Sequence, residues 1–180
     1  TKRTYQEHSE VFMAEVATSL KSLPRIFLDV VLPKLPQLEA RFEKDARVLD
    51  VGCGAGWAVV QLAERFPDVT CLGLDIEPQS IELAQALLEE RGLADRCEAR
   101  LSTADGGLTR PGSVDIATSF LVIHEIEPSL KAGMFRDVAD ALAPGGSFLI
   151  FDEAYPETDE QLQAMPQRFA ALAQWYELTW

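Results

Sequence analysis

Apolar and polar positions along this 180-residue chain follow two regimes that meet near residue 46. Before that point the period is helical. Val11, Phe12, Val16 and Leu20 recur at helical spacing over residues 5–20, and Pro24 opens a second helical stretch bearing Ile26, Phe27, Val30 and Val31. Pro33 and Pro36 interrupt that stretch, and Leu38 to Phe42 form a short third piece. From Arg47 onward, short apolar runs alternate with amphipathic segments. The runs predict strands at 48–51, 70–75, 97–101, 114–120 and 147–152. The segments predict helices over about 57–66, 79–91 and 127–142, the first with Val59, Val60, Leu62 and Ala63 inward. Such alternation predicts an α/β protein with a doubly wound, mostly parallel sheet and right-handed crossovers. A last helical stretch over 160–178 carries Leu162, Met165, Phe169, Leu172, Trp175 and Tyr176 as an apolar stripe. The chain thus divides into a helical segment at 1–45, an α/β core at 46–153 and the start of a second helical region at 154–180.

Composition narrows the partners. The length suits one domain with a sizeable core. An apolar fraction of 47% and a charged fraction of 25% are ordinary for a soluble globular protein. No run of 18 apolar residues occurs, so no membrane span is predicted. The N-terminus lacks a basic region, apolar run and cleavage site in series, so no signal peptide is predicted and the expected compartment is cytoplasmic. A net charge of −13 with no Lys/Arg run argues against nucleic acid and against an anionic membrane surface. A small, neutral-to-cationic molecule is the more comfortable partner. Cys53, Cys71 and Cys97 fall in or beside predicted strands without a C-x-x-C or Cys/His cluster, so no metal site is implied. Cys71 and Cys97 read as buried, inert thiols.

The chemistry concentrates where the first strand ends, at Asp50-Val51-Gly52-Cys53-Gly54-Ala55-Gly56. Glycine lets backbone approach a ligand and adopt positive φ, and a strand that turns through glycines into a helix is a cofactor-binding device. The dinucleotide fingerprint spaces its last two glycines three apart, whereas these lie two apart. Asp50, two residues before the first glycine, would repel a pyrophosphate and suits a ligand bearing an ammonium group. Asp75 ends the second apolar run, where an acid can accept from both ribose hydroxyls.

This combination resembles the class I S-adenosylmethionine-dependent methyltransferases of small-molecule type. Their acid-x-Gly-x-Gly-x-Gly motif is met at residues 50–56, and their acid closing strand two is met by Asp75. The likeness continues through Ser102-Thr103-Ala104-Asp105, the strand 114–120 and the Pro144-Gly145-Gly146 turn, covering about residues 47–153 in order. It implies a Rossmann-like methyltransferase sheet with five strands present, the C-terminal β hairpin missing and an N-terminal helical cap over the site. Either the chain is a fragment, or the rest was removed or is disordered. It implies S-adenosylmethionine as cofactor and S-adenosylhomocysteine as product, a small-molecule methyl acceptor, and leaves a homodimer open.

The resemblance also assigns roles. The backbone of Gly52, Cys53, Gly54 and Gly56 would hold the methionine end, and Asp50 would assist its ammonium. Asp75 would take the ribose hydroxyls, Ile76 would pack on adenine, and Ala104 and Asp105 would lie along it, Asp105 accepting from the adenine amino group. Phe120 would lie near the methionine portion. Similar enzymes carry an apolar run ending in His after strand four, matched here by Leu121-Val122-Ile123-His124. His124 is the candidate catalytic base; the bland alternative is a helix-start or core histidine with a satisfied hydrogen bond. Tyr5 and His8 on the cap, and Tyr155 with Glu153 after strand five, are candidates for the acceptor pocket. Surface or core roles compete for each. Asp115, at the start of strand four, reads as structural. Two other classes stand beside the enzyme. A non-catalytic module of the same fold would bind the cofactor without transferring a methyl group. An NAD-linked dehydrogenase is disfavoured by the glycine spacing and Asp50.

Overall fold

The computed structural model describes residues 21–102, 108–152 and 158–164. Its centre is a five-stranded sheet in the order β3-β2-β1-β4-β5. The strands are β1 (Arg47–Val51), β2 (Thr70–Asp75), β3 (Cys97–Leu101), β4 (Val114–Phe120) and β5 (Leu142–Phe151). Every neighbouring pair is parallel. Helices α3 (Trp57–Arg65), α4 (Pro78–Glu90) and α5 (Pro128–Ala141) provide crossovers, preceded by α1 (Ser22–Ile26) and α2 (Pro36–Phe42) and followed by α6 (Asp159–Ala164). The sheet is therefore the doubly wound arrangement that the alternating pattern predicts.

Apolar residues bury both faces of the central strands β1 and β4, whereas the edge strand β3 alternates buried and exposed positions. On one face, Val48 and Cys71 pack with Val59, Val60 and Leu62 of α3, Ile81, Ala84 and Leu88 of α4, and Phe27, Leu32 and Phe42 of the N-terminal helices. On the other, Leu49, Val51 and Ala117 pack with Val138 and Ala141 of α5. Val59, Val60, Leu62 and Ala63 are all buried, as the helical period requires. Polar ties close the end of the sheet away from the glycine turn. Arg47 grips Asp115 through Nε at 2.8 Å and Nη2 at 2.9 Å, and Asp115 also accepts from the Arg47 amide at 2.9 Å. Asp115 thus joins the starts of β1 and β4.

The N-terminal segment departs from the expected helical face. After α1 the chain widens into one π-helical turn at Phe27–Val31, then tightens to a 3-10 turn at Leu32–Lys34. A π-turn brings residues five apart onto one side. Phe27 and Leu32 are accordingly buried, with Leu28, while Ile26 and Val30 are 43% and 50% exposed. Pro36 begins α2 rather than merely ending what precedes it, consistent with the preference of proline for the first helical turn. The sequence-based stripe over 160–178 falls outside the described residues beyond position 164, as does the helix over 5–20. Among the described residues, no helix is long and apolar enough to cross a membrane.

Candidate functional site

A doubly wound sheet binds its ligand beyond the carboxyl ends of the strands, where the strand order reverses. Here that point lies between β1 and β4, and the glycine turn follows β1 there. Gly52, Gly54 and Gly56 have φ of +73°, +50° and +82°. Their surroundings differ. A Cβ on Gly52 would lie 2.4 Å from a Val122 methyl carbon, so this glycine permits the loop after β4 to close on the turn. A Cβ on Gly56 would meet the Ala84 Cβ of α4 at 3.0 Å, a close approach of turn and helix. A Cβ on Gly54 would meet nothing within 4 Å. Gly54 therefore presents bare backbone to open space, the feature a closely held ligand needs.

The amides of this turn are not arranged for an anion. Gly52 and Cys53 donate to the Leu74 carbonyl at 2.8 and 3.0 Å, and Gly56 donates to the Cys53 carbonyl at 2.9 Å. Gly54 donates to Asp75 Oδ2 at 2.8 Å. Four of the five N–H groups from Gly52 to Gly56 are thus engaged within the chain. Recognition falls to carbonyl oxygens, acidic side chains and the open backbone face, a set that suits a cation. The Cys53 thiol is turned inward over Gly73, with Sγ 2.9 Å from where a Gly73 Cβ would lie. Burial raises that thiol's pKa well above its ordinary value, so Cys53 offers a ligand its backbone only.

Asp50 sits beneath the turn rather than in it. It is 2% exposed and stands in register with Thr118 of β4, whose Oγ1 donates to Asp50 Oδ1 at 2.7 Å. Burial pushes its pKa up to about 7, the Thr118 bond opposes this, and the Asp75 charge adds to it. Asp75 is more open. Its Oδ2 accepts from Gly54 and its Oδ1 from the Glu77 amide at 3.0 Å, which fixes the carboxylate while each oxygen retains a free lone pair. Ile76 beside it is 76% exposed, an apolar side chain next to that carboxylate. The Phe120 ring is half-buried and tied into packing, edge-on to Phe27 at 5.7 Å and tilted against Phe151 at 6.0 Å.

His124 lies in the loop after β4. Its Nδ1 is 2.6 Å from Asp152 Oδ1, at the end of β5, and its Nε2 is 3.8 Å from Glu125 Oε1. The two side chains of the first pair are 12% and 10% exposed. The sequence reading named His124 and missed Asp152. An acid that ends an apolar run was the signal read at Asp75, and Asp152 carries the same signal. Thr118 and Val122 were missed as well, for they act through β1–β4 register and loop closure. Ala104, Asp105, Tyr5, His8, Tyr155 and Glu153 lie outside the described residues. No group of three or more His, Cys, Asp or Glu side chains able to hold a metal occurs among the described residues.

The model of a family described as a methyltransferase domain matches residues 48–146, more than half of the chain. The chain belongs to this methyltransferase family. S-adenosylmethionine is the cofactor the family implies, and the site fits it: bare backbone at Gly54, acids at Asp50 and Asp75, an apolar surface at Ile76 and amides committed elsewhere. Among curated relatives, a polyketide synthase of Burkholderia thailandensis, ThaQ, is 35% identical over 111 residues, covering 62% of this chain and 5% of that protein. A 2-heptyl-1-hydroxyquinolin-4(1H)-one methyltransferase of Mycobacteroides abscessus is 31% identical over 147 residues, covering 79% of this chain and 63% of that one. The chain thus spans less than two thirds of either relative. The fold is shared with an S-adenosylmethionine-dependent methyltransferase of Aquifex aeolicus, with TM-score 0.59 at 19% identity over 87% of this chain and 84% of that one.

Proposed function

We propose that the protein transfers the methyl group of S-adenosylmethionine to a small-molecule acceptor whose attacking atom must lose a proton. The observation that carries this reading is the pairing of His124 with Asp152 at the mouth of a turn built for a cation. In this reading Gly54 and the carbonyls of the turn hold the methionine end, with the Asp50 carboxyl group beneath them. Asp75 receives the ribose hydroxyls, Ile76 lies against adenine, and Ala104 and Asp105 continue that wall. When bound, the cofactor supplies an electrophilic methyl carbon on a sulfonium, an intrinsically good leaving group. The protein then needs chiefly to position the acceptor and exclude water. His124 Nε2 takes the acceptor proton, and an imidazole serves this role best for an acceptor of modest acidity such as an enol, phenol or N-hydroxyl. The relative whose name specifies a 1-hydroxyquinolinone supports an acceptor of that kind. Tyr5, His8 and Tyr155 are proposed to line the acceptor pocket.

The test is transfer of a deuterated methyl group from labelled S-adenosylmethionine to a panel of protic acceptors, with 2-heptyl-1-hydroxyquinolin-4(1H)-one as one member. Mass spectrometry of the product reads the outcome. A product heavier by one labelled methyl group is expected, with His124→Asn lowering turnover at least a hundredfold. Cofactor binding with no transfer across the panel would favour the non-catalytic module instead.

A further inference from the structure

The loop that bears His124 is held in a conformation it would not adopt alone. Leu121 has φ +55°, a left-handed conformation unfavourable to a residue with a branched side chain. Such a residue persists only where its surroundings over-determine it. Three hydrogen bonds do so. Leu121 donates to the Phe151 carbonyl at 2.9 Å, and Asp152 Oδ2 accepts from the amides of Val122 at 3.2 Å and Ile123 at 2.6 Å. The side chain so placed, Val122, fills the space above Gly52 where no Cβ could fit. The other carboxylate oxygen, Oδ1, faces His124 Nδ1 at 2.6 Å. A carboxylate already accepting two N–H bonds is an acceptor toward the ring as well, so Nδ1 carries the proton and Nε2 the lone pair. Glu125 Oε1 stands 3.8 Å from Nε2, beyond hydrogen-bond reach.

We propose that Asp152 is a positioning residue with one duty per oxygen: Oδ1 sets the tautomer of His124, and Oδ2 presses Val122 onto Gly52 and so completes the cofactor turn. One carboxylate thereby joins the readiness of the base to the shape of the cofactor site. The proposal rests on the reading of His124 as base and of the turn as the cofactor's seat. The two duties separate in one substitution. Asp152→Asn can place its carbonyl oxygen where Oδ2 lies, keeping both amide bonds, and its NH2 where Oδ1 lies. That NH2 must donate to Nδ1, forcing the proton onto Nε2 and removing the base. Asp152→Ala loses both duties, and adding Leu121→Gly to it relieves the left-handed strain and restores the loop without restoring the tautomer.

The test uses the intact protein, in which the ring signals of His124 are identified as those that His124→Gln removes, the chain having 2 histidines. Nitrogen-15 long-range NMR reads the ring tautomer with no ligand present, and calorimetric titration with S-adenosylhomocysteine reads the cofactor site. The proposal expects Nδ1–H in the parent and Nε2–H in Asp152→Asn, with affinity within threefold of the parent. It expects affinity to fall at least tenfold in Asp152→Ala and to recover severalfold in Asp152→Ala/Leu121→Gly. An unchanged tautomer in Asp152→Asn overturns the first duty. Equal affinity in Asp152→Ala and Asp152→Asn, or an unfolded Asp152→Ala that Leu121→Gly does not improve, overturns the second. A parent that binds no S-adenosylhomocysteine overturns the cofactor reading instead, while the tautomer still decides the first duty.

Discussion

Gly52→Ala is the substitution whose consequence the geometry defines most closely. Two costs add. The first is conformational: at φ +73° an L side chain costs about 1–2 kcal/mol. The second is steric. The new methyl would sit 2.4 and 2.6 Å from the two Val122 methyl carbons and 3.0 Å from its Cβ. Val122 is held from behind by Asp152 through its amide, so the loop yields only by losing that bond, and overpacking of this kind costs about 1–3 kcal/mol. Together these predict a loss of about 2–5 kcal/mol, a large part of the roughly 5–15 kcal/mol that holds a domain folded. Urea unfolding with linear extrapolation measures it. A double-mutant cycle with Val122→Ala separates the costs, because truncating Val122 opens the space without altering φ. The double variant should be less destabilised than the sum of the singles by about 1–3 kcal/mol. Strict additivity, or a Gly52→Ala loss under about 0.5 kcal/mol, would refute the closure of the His124 loop onto the turn.

Two further substitutions probe the site. Gly54→Ala meets no neighbour within 4 Å, so its stability loss should be confined to the conformational cost of about 1–2 kcal/mol, while S-adenosylhomocysteine affinity measured by calorimetry drops at least tenfold; equal affinity would show that no ligand lies against Gly54. Asp50, raised to about 7, holds a proton in the folded chain that the unfolded chain loses near pH 4, so its contribution to stability falls as pH rises between those values. Asp50→Asn should gain on the wild type by up to about 4 kcal/mol between pH 4 and pH 8 in urea unfolding, and parallel stability curves would contradict the assignment.

The sheet was legible because its central strands β1 and β4 are buried on both faces and therefore read as mostly apolar runs, and because Gly52, Gly54 and Gly56 punctuate the first of them. The helix α3 was legible down to its inward residues. What lay beyond the sequence depended on distance in the chain. Thr118 meets Asp50 only through the β1–β4 register, and no local pattern announces that a threonine will face a buried acid. Asp152 reaches His124 across 28 positions, brought there by parallel pairing of β4 and β5 around α5. The turn's amides could be expected to face a ligand, yet the Leu74 carbonyl and Asp75 carboxylate engage them, which only the packing of β1 on β2 reveals. The π-turn at Phe27–Val31 moved the buried positions from Ile26 and Val30 to Leu28 and Leu32, a shift invisible to a period of 3.6.

Titration of the intact protein with S-adenosylhomocysteine, wild type against Asp75→Ala, tests the central claim most directly. The carboxylate is fixed by Gly54 and Glu77 with lone pairs free for a ribose, so the wild type should bind and the folded variant should bind at least tenfold more weakly, about 1.4 kcal/mol. No binding by the wild type, or equal binding by both, would contradict the account.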